Sequence, residues 1–328
     1  MNRLRSRIVG TGSYLPERVM TNRDLERLVD TNDEWIVTRT GIRERRIAAG
    51  HEATSDLAYE ASCRALDAAG LRAQDLDLVV VATLTPDAPL PATAIFLQHR
   101  LGAKKAAAFD IMAACTGYVY GLSVVDGLIR AGVAKNCLLV GAEVLSRVMN
   151  WKDRGTCIIF GDGAGAAVLV PTHGRSGLLS THLYADGGQA DLLCIPGGGS
   201  RIPASREAIE QGLQYVHMKG NETFKLAVKG MAEAAHAALD ANGIKASDIG
   251  LLVPHQANIR IIEATAQRLR LPMSRVYVNI ERYGNTSGAS VPIALDEAVR
   301  EGRITAGDLV LIDAFGAGFT WGSALIRW

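Results

Sequence analysis

Residues 64–81 read RALDAAGLRAQDLDLVVV, and residues 237–254 read AALDANGIKASDIGLLVP. Aligned without a gap, the two segments carry the same residue at nine of eighteen positions. In each copy a helical pattern ends at a glycine and a buried strand follows. So many identities are not expected in unrelated helices, and they predict a duplicated α/β unit. In the first copy the shared positions are Ala65, Leu66, Asp67, Ala68, Gly70, Ala73, Asp75, Leu78 and Val80.

A second pair of segments repeats at a similar spacing of about 170 residues. Residues 115–132 overlay residues 285–302, so that Cys115 meets Asn285. Identical residues stand at Thr116, Asp126, Arg130 and Gly132 and at their counterparts in the second segment. We therefore predict two related halves, residues 1–171 and 172–328.

Strand and helix patterns alternate along most of the chain, as is typical of α/β folds. A capped helix is expected to begin at Thr21, and the glycine-rich residues 161–165 indicate a turn with tight packing. Apolar runs predict strands at residues 7–12, 76–82, 106–111, 136–142, 156–160, 166–170, 251–254 and 309–312. Helical spacing predicts helices at residues 56–70, 92–101 and 118–129.

Cys115 lies between a predicted strand and a predicted helix, in the stretch Ala113-Ala-Cys-Thr-Gly117. Free N–H groups and the positive end of a helix dipole favour a thiolate at such a position, and small neighbours leave room for a substrate. The alternative is a small buried hydrophobic residue, which most such cysteines are. The other four cysteines lack this junction and have no metal-ligand spacing. They are Cys63, Cys137, Cys157 and Cys194.

His255 follows the predicted strand 251–254, and Asn285 occupies the position that Cys115 has in the first half. Ligand sites in parallel α/β sheets lie beyond the carboxyl ends of the strands. Two halves related by a pseudo-twofold axis are expected to bring Cys115, His255 and Asn285 to one cavity. A cysteine nucleophile indicates acyl transfer, and an asparagine with a neutral histidine can donate two hydrogen bonds to an enolate oxygen.

Composition sets limits on the class of protein. A formal net charge of +1 does not favour nucleic acid or an anionic membrane as partner. No apolar run reaches the length of a membrane-spanning helix. Five cysteines without framework spacing are typical of a reducing compartment, so a cytoplasmic protein is expected.

Residues 31–46 place Trp35 among four arginines in a polar setting. One interpretation is a solvated loop with a single anchoring tryptophan. The other is a surface that stacks a base and clamps phosphates of a nucleotide-bearing ligand. Residue types alone favour the solvated loop.

Five motifs make the chain resemble the β-ketoacyl-(acyl carrier protein) synthase III family, the condensing enzymes that start type II fatty acid synthesis. They are DEWIVTRTGI at residues 33–42, AACTG around Cys115, HQAN at 255–258, YGNTSGAS at 283–290 and FGAGFTWG at 315–322. The resemblance spans nearly the whole chain and implies a thiolase-like, five-layer αβαβα fold. It also implies that Cys115 takes an acyl group from acyl-CoA and that His255 and Asn285 assist decarboxylative condensation with malonyl-acyl carrier protein. No permanently bound cofactor or metal is implied.

The same resemblance assigns further residues. The backbone N–H groups of Cys115 and Ala317 would form the oxyanion hole, although alanine replaces the usual glycine at 317. Phe315 would lie at the acyl pocket, and Leu90 would cross a homodimer interface to floor the partner's pocket. The residues implied for CoA are Thr31, Trp35, Arg39, Arg154 and Asn258. Those implied for the acidic carrier protein are Lys225, Arg260 and Arg268.

Two other functions remain open on the residues alone, and a third, that of a thiolase, fits poorly. The same three residues could serve an acyltransferase or a specialised-metabolite condensing enzyme acting on another acceptor. A non-catalytic acyl- or CoA-binding protein would not need Cys115, His255 and Asn285 together. Thiolases need a second catalytic cysteine in the C-terminal half, where Asn285 stands instead. The primer's length and branching are not set by the sequence.

Overall fold

The computed structural model describes residues 4–328 of the protein. The strands are β1 (Arg5–Tyr14), β2 (Arg18–Thr21), β3 (Glu44–Ile47), β4 (Leu78–Ala82), β5 (Ala107–Ile111), β6 (Cys137–Glu143), β7 (Gly163–Thr172), β8 (Gly177–Ala185), β9 (Leu193–Cys194), β10 (His217–Met218), β11 (Leu251–Pro254), β12 (Leu309–Gly316) and β13 (Thr320–Arg327). The helices are α1 (Asn22–Leu25), α2 (Asp33–Thr40), α3 (Thr54–Ala69), α4 (Thr93–Leu101), α5 (Gly117–Arg130), α6 (Arg154–Cys157), α7 (Arg206–Glu210), α8 (Gly220–Asn242), α9 (Ile259–Leu269), α10 (Ile280–Tyr283) and α11 (Ser290–Arg300).

Two mixed sheets carry the fold. The first has the order β1-β7-β6-β4-β5, in which β4 runs parallel to both β5 and β6. The second has the order β11-β12-β13-β8, in which β11 runs parallel to β12. The carboxyl ends of β5 and β11 lead to Cys115 and His255 respectively.

Helices cover both sheets and fill the space between them. Apolar side chains of α5 and α11 form a buried cluster with strands of both sheets. A second cluster joins α3 and α4 to the outer face of the first sheet, and a third joins α8 and α9 to the outer face of the second. The predicted αβαβα layering is therefore confirmed.

The repeat found in the sequence is also a repeat in structure. Helix α3 ends at Gly70 with φ of 64°, and α8 ends at Gly243 with φ of 62°. Glycine adopts this left-handed conformation without steric cost, which explains the shared glycine. A 3₁₀ turn and a buried strand then follow each helix, β4 in the first copy and β11 in the second.

The strand predicted at residues 156–160 is wrong. The Asp153 carboxylate accepts hydrogen bonds from the Gly155 N–H at 2.8 Å and the Thr156 hydroxyl at 2.6 Å. Such a cap starts a helix, here the single turn α6, and only Phe160 pairs, through an isolated bridge to Asn285.

Two local predictions also need correction. Residues 31–46 do not form a solvated loop, because Asn32 caps α2 and β3 pairs with β2. Residues 163–165 belong to β7 rather than to a turn. The tight packing expected there is present, since a Cβ on Gly165 would lie 2.6 Å from the Ile293 backbone nitrogen.

The register of the second repeat is corrected as well. Ala114 and Ser287 each have positive φ, 46° and 49°, and each begins the 3₁₀ turn before α5 or α11. By this geometry Cys115 corresponds to Gly288 and not to Asn285, which lies two residues before the turn. Helix α5 has 14 residues and α11 has 11, so an alignment that fits their ends misplaces their beginnings by three.

Candidate active site

Cys115 lies at the predicted junction, in the 3₁₀ turn Ala114–Thr116 between β5 and α5. The C-terminal loop packs directly on this turn. A Cβ on Gly316 would lie 2.8 Å from the Cys115 backbone nitrogen and 3.1 Å from that of Thr116. Only a glycine allows this approach, so Gly316 and Ala317 run beside the Cys115 N–H.

Burial of Cys115 opposes the thiolate that its position favours. Burial raises the pKa of Cys115 to about 12, and the nearby Glu143 carboxylate acts in the same direction. The Ser287 hydroxyl lowers this pKa, but desolvation outweighs it. Cys115 therefore carries its proton at neutral pH.

His255 follows β11, and its backbone N–H donates to the Asp313 carbonyl of the neighbouring β12 at 2.8 Å. Its ring is 1% exposed, and burial lowers the pKa of His255 to about 3. The imidazole is neutral under all ordinary conditions. Its Nδ1 lies 2.5 Å from the Ser290 hydroxyl oxygen.

The Asn285 amide is oriented by a backbone contact. The Ser287 N–H donates to Asn285 Oδ1 at 2.8 Å. This assigns the oxygen and leaves the NH₂ group of Asn285 free to donate elsewhere. A neutral imidazole and this amide can therefore offer donors, and no basic charge, to an oxygen that becomes negative.

One cavity of about 560 Å³ contains Cys115, His255 and Asn285, which the sequence predicted would meet. Phe315 also lines this cavity, and the centroid of its ring lies 4.7 Å from the centroid of the Phe319 ring. We call this space the entrance cavity. Its outer part is lined by Trp35, Arg39, Asn258, Lys225 and Arg260.

Cys115 also borders a second space of about 580 Å³, which we call the apolar cavity. Ala317 and Ser287 lie beside the thiol there. The remaining wall is mainly aliphatic and aromatic, with Leu84, Met112, Leu145, Phe160, Leu193, Ile195 and Val216. The nucleophile thus borders both a cavity that carries charged side chains in its outer part and a second, mainly apolar cavity.

Two guanidinium groups cover the indole ring of Trp35. The central carbons of Arg39 and Arg154 lie 4.6 and 4.8 Å from its centroid. Arg154 is held there by donation to the Asp30 carbonyl at 2.8 Å. A planar base could replace one of these cation–π contacts by stacking.

Of the other residues implied for CoA, Asn258 lines the entrance cavity and Thr31 does not. Asn258 caps α9 by accepting from the Arg260 N–H at 2.9 Å, and its NH₂ group donates to the Arg39 carbonyl at 2.9 Å. It therefore ties α2 to α9 at the cavity mouth. Thr31 does not line the entrance cavity, and its hydroxyl is buried without a hydrogen-bond partner among the described residues.

The basic residues predicted for a carrier protein are exposed on adjacent helices. Lys225 lies on α8, and Arg260 and Arg268 lie on α9, which packs against α8. The Arg260 guanidinium stands 5.4 Å above the Phe224 ring. Leu90 lies elsewhere, 85% exposed, and does not line either cavity of its own chain.

Sequence reasoning missed three residues beneath the site. Ser287 orients Asn285, and Ser290 contacts His255. Both serines stand in the YGNTSGAS motif. Glu143 is fully buried and accepts hydrogen bonds from the Thr83 and Thr85 hydroxyls. A carboxylate at the end of the buried run Cys137–Glu143 was the signal available in the sequence.

Within residues 4–328 no group of three or more His, Cys, Asp or Glu side chains could hold a metal ion. Over the same residues, no helix is both long and apolar enough to cross a membrane.

Models of one family match two parts of the chain. The model described as 3-oxoacyl-[acyl-carrier-protein (ACP)] synthase III matches residues 109–187, and its C-terminal counterpart matches residues 239–328. The matched parts contain Cys115, His255 and Asn285.

Curated relatives are similar over the full length. The chain is 56% identical to "Beta-ketoacyl-[acyl-carrier-protein] synthase III" of Roseiflexus sp. (strain RS-1), over 98% of each chain. It is 55% identical to the protein of the same name from Xanthomonas campestris pv. campestris, over 99% of each.

Solved structures superpose on the chain over nearly its full length. The crystal structure of 3-oxoacyl-[acyl-carrier-protein] synthase III from Aquifex aeolicus VF5 superposes with a TM-score of 0.91 at 48% identity, over 98% of this chain and all of that one. The priming β-ketosynthase of the R1128 polyketide pathway has the same TM-score but 36% identity, over 99% of this chain and 96% of that one.

Proposed function

The chain belongs to the β-ketoacyl-[acyl-carrier-protein] synthase III family, and we propose from that membership that it condenses an acyl-CoA primer with malonyl-acyl carrier protein to begin fatty acid synthesis. The observation that carries the proposal is one cavity lined by Cys115, the neutral His255 and the oriented Asn285 amide. A specialised-metabolite role has weaker support, because the polyketide enzyme is 36% identical to the chain, whereas the curated synthase III of Roseiflexus sp. is 56% identical.

In the first step the Cys115 sulfur attacks the thioester carbonyl of acyl-CoA. The C–S bond to CoA breaks, and the proton of the thiol ends on the departing CoA sulfur. The products are acyl-Cys115 and free CoA. The backbone N–H groups of Cys115 and Ala317 stabilise the tetrahedral oxyanion, which the close approach of Gly316 to the Cys115 nitrogen supports.

In the second step malonyl-carrier protein loses CO₂, and the electron pair of the broken C–C bond forms an enolate. Donors on His255 Nε2 and Asn285 Nδ2 stabilise the enolate oxygen. The enolate carbon then attacks acyl-Cys115, and the thiolate leaves and takes up one proton. The products are 3-oxoacyl-carrier protein and free Cys115.

The entrance cavity is proposed to hold the pantetheine arm of either substrate. The CoA adenine stacks on Trp35 beside Arg154, and Arg39 and Asn258 line the path inward. Thr31 stays in the proposal as a neighbour of this surface, although its hydroxyl is buried. Lys225, Arg260 and Arg268 attract the acidic carrier protein to the cavity mouth.

Further proposals concern assembly and location. Strand β5 pairs only with β4 in the described residues, and apolar Met112 beside it is 78% exposed. This unpaired edge supports a homodimer in which Leu90 and Phe315 help to bound the acyl pockets. The two halves, 1–171 and 172–328, each contribute one sheet. Five free cysteines support a reducing, cytoplasmic location.

Intact-mass analysis after incubation with acyl-CoAs tests the first step. The wild-type protein and Cys63→Ser, which changes a cysteine on α3 outside both cavities, should gain one acyl group, and Cys115→Ser should gain none. His255→Ala and Asn285→Ala should load normally but release CO₂ from malonyl-carrier protein at least about a hundred-fold more slowly. A wild-type protein that neither loads nor decarboxylates would refute the proposed function.

A further inference from the structure

The described residues place a hydroxyl group directly behind the imidazole of the active site. Ser290 is the first residue of α11, in the layer between the two sheets, and its side-chain oxygen lies 2.5 Å from His255 Nδ1. Ser290 is 2% exposed and His255 is 1% exposed. Bulk water therefore does not compete for this contact.

The direction of the hydrogen bond follows from the partners of Ser290. The Gln256 backbone N–H donates to Ser290 Oγ at 3.4 Å, so the oxygen is an acceptor in that contact. Among the described residues the Ser290 hydroxyl has no acceptor other than His255 Nδ1, so its proton is paired only when it is donated to the imidazole. Gln256 itself is fixed, because its side-chain NH₂ donates to the Pro254 and Tyr277 carbonyls.

We infer that Ser290 is a positioning residue that donates its hydroxyl proton to His255 Nδ1 and so keeps the ring proton on Nε2, where it meets the enolate oxygen. This inference rests on the proposed function. Without the hydroxyl, the two neutral tautomers of the imidazole compete, and the Nδ1–H form turns a lone pair toward the enolate. Ser290 touches no reacting atom and acts only through His255.

Loss of the Ser290 hydroxyl should affect decarboxylation but not acyl loading. Acyl transfer to Cys115 uses the backbone oxyanion hole and does not need the His255 proton. Ser290→Ala should therefore load acyl-CoA within about two-fold of wild type, but lose about ten-fold in the decarboxylation of malonyl-carrier protein, the value of one buried hydrogen bond. The loss should fall on kcat and leave KM unchanged, because carrier docking is not altered.

Nitrogen-15 NMR of protein labelled at histidine reads the tautomer directly, with the His255 signals assigned by their loss in His255→Ala. In wild type the proton should couple to Nε2 alone. In Ser290→Ala both nitrogens should show mixed character, and Ser290→Thr, which keeps the hydroxyl, should recover the wild-type pattern and rate. Ser62→Ala is the matched control, because Ser62 is a buried helical serine that bonds only the Ala58 carbonyl.

A wild-type protein with its proton on Nδ1 would overturn the inference without any variant. So would a Ser290→Ala protein with unchanged tautomer and unchanged decarboxylation, or with equal loss in loading and decarboxylation. If the wild type shows the Nε2 proton but performs neither half-reaction, the proposed function fails while the tautomer assignment stands.

Discussion

The Cys115 thiol is subject to two opposing influences, a helix N-terminus that favours the thiolate and complete burial that disfavours it. Because burial raises its pKa to about 12, we expect the alkylation rate to keep rising with pH. Iodoacetamide labelling followed by intact mass should show no plateau between about pH 6 and pH 10. Cys115→Ser identifies the adduct. A plateau below about pH 7 would mean that the helix terminus dominates.

Glu143 provides the clearest dependence of stability on pH. Burial raises its pKa from 4.5 to about 7, although the Thr85 and Thr83 hydroxyls and the Leu84 N–H favour its charged form. Between these values the folded protein keeps a proton that the unfolded chain has lost. The free energy of unfolding should therefore fall as pH rises, by about 3 kcal/mol in total for this group, and then stay level above about pH 7.

Glu143→Gln removes this titration. Urea unfolding at several pH values should show the wild type losing about 2.5 kcal/mol relative to the variant between pH 5 and pH 8. Glu263→Gln, an exposed change on α9, should leave the wild-type dependence intact. A constant difference between wild type and Glu143→Gln would show that Glu143 is charged throughout.

Ser287 and Ser290 show which parts of the site lie beyond sequence reasoning at this scale. Cys115 and His255 could be predicted because each follows a pattern that marks the end of a strand. Asn285 was found through a repeat alignment whose register the structure corrects, and through the YGNTSGAS motif. The Ser290 contact depends on a side chain at the start of α11 reaching His255, 35 positions away, which no local pattern encodes. The Ser287 contact is a backbone N–H donated to Asn285, in a turn whose register the repeat alignment misplaced.

Among the elements, the C-terminal loop after β12 has the tightest contact with the nucleophile. A methyl group at Gly316 would meet the Cys115 and Thr116 backbone nitrogens at 2.8 and 3.1 Å. Gly316→Ala should therefore displace the oxyanion hole and slow acyl loading by at least about ten-fold, with a stability cost of about 1–3 kcal/mol. Acyl loading by intact mass and thermal unfolding measure the two effects.

Gly127→Ala is the control for Gly316→Ala. Gly127 lies inside α5, and a Cβ there would meet no atom within 4 Å. This change should leave loading unaltered and raise stability by about 0.5–1 kcal/mol, since alanine favours the helix. Equal loading by both variants and wild type would show that Gly316 does not support the oxyanion hole.

Helices and strands with strong periodicity could be predicted from the sequence, and α3, α8, β4 and β11 are found where the repeat placed them. The start of α11 could not be predicted from the repeat, because α5 has three more residues than α11 and this shifts the alignment of their first turns. The strand prediction for residues 156–160 was wrong for a different reason. Their apolar side chains are buried as a strand's would be, but the Asp153 cap turns the chain into α6.

At the scale of the whole molecule, strand ends from both sheets bring Cys115 and His255 to one cavity, and the segment between α10 and α11 adds Asn285 to it. The duplication predicted this convergence. It did not predict the apolar cavity, whose walls include β9, a strand without a repeated counterpart. Nor could it predict which surface closes that cavity, because a second chain is proposed to supply it.

Leu90 provides the test of that proposal. Its side chain is 85% exposed in one chain and is therefore free to contact a partner. If it floors the partner's acyl pocket, Leu90→Asp should abolish loading although Cys115 is intact, because a carboxylate would lie in an apolar space. Cys115→Ser should also be inactive, because it lacks the nucleophile. Mixed dimers of the two variants contain one site with both Cys115 and the partner's Leu90.

An equal mixture, unfolded and refolded together, should therefore recover about a quarter of the wild-type sites, since half of the dimers are mixed and each has one working site. Intact mass should place the acyl group only on the Leu90→Asp chain. The control mixture of Cys115→Ser with Cys115→Ser, Leu90→Asp should stay inactive. No recovery in the first mixture, with dimers present by light scattering, would mean that Leu90 acts within its own chain and that the pocket is closed by other residues.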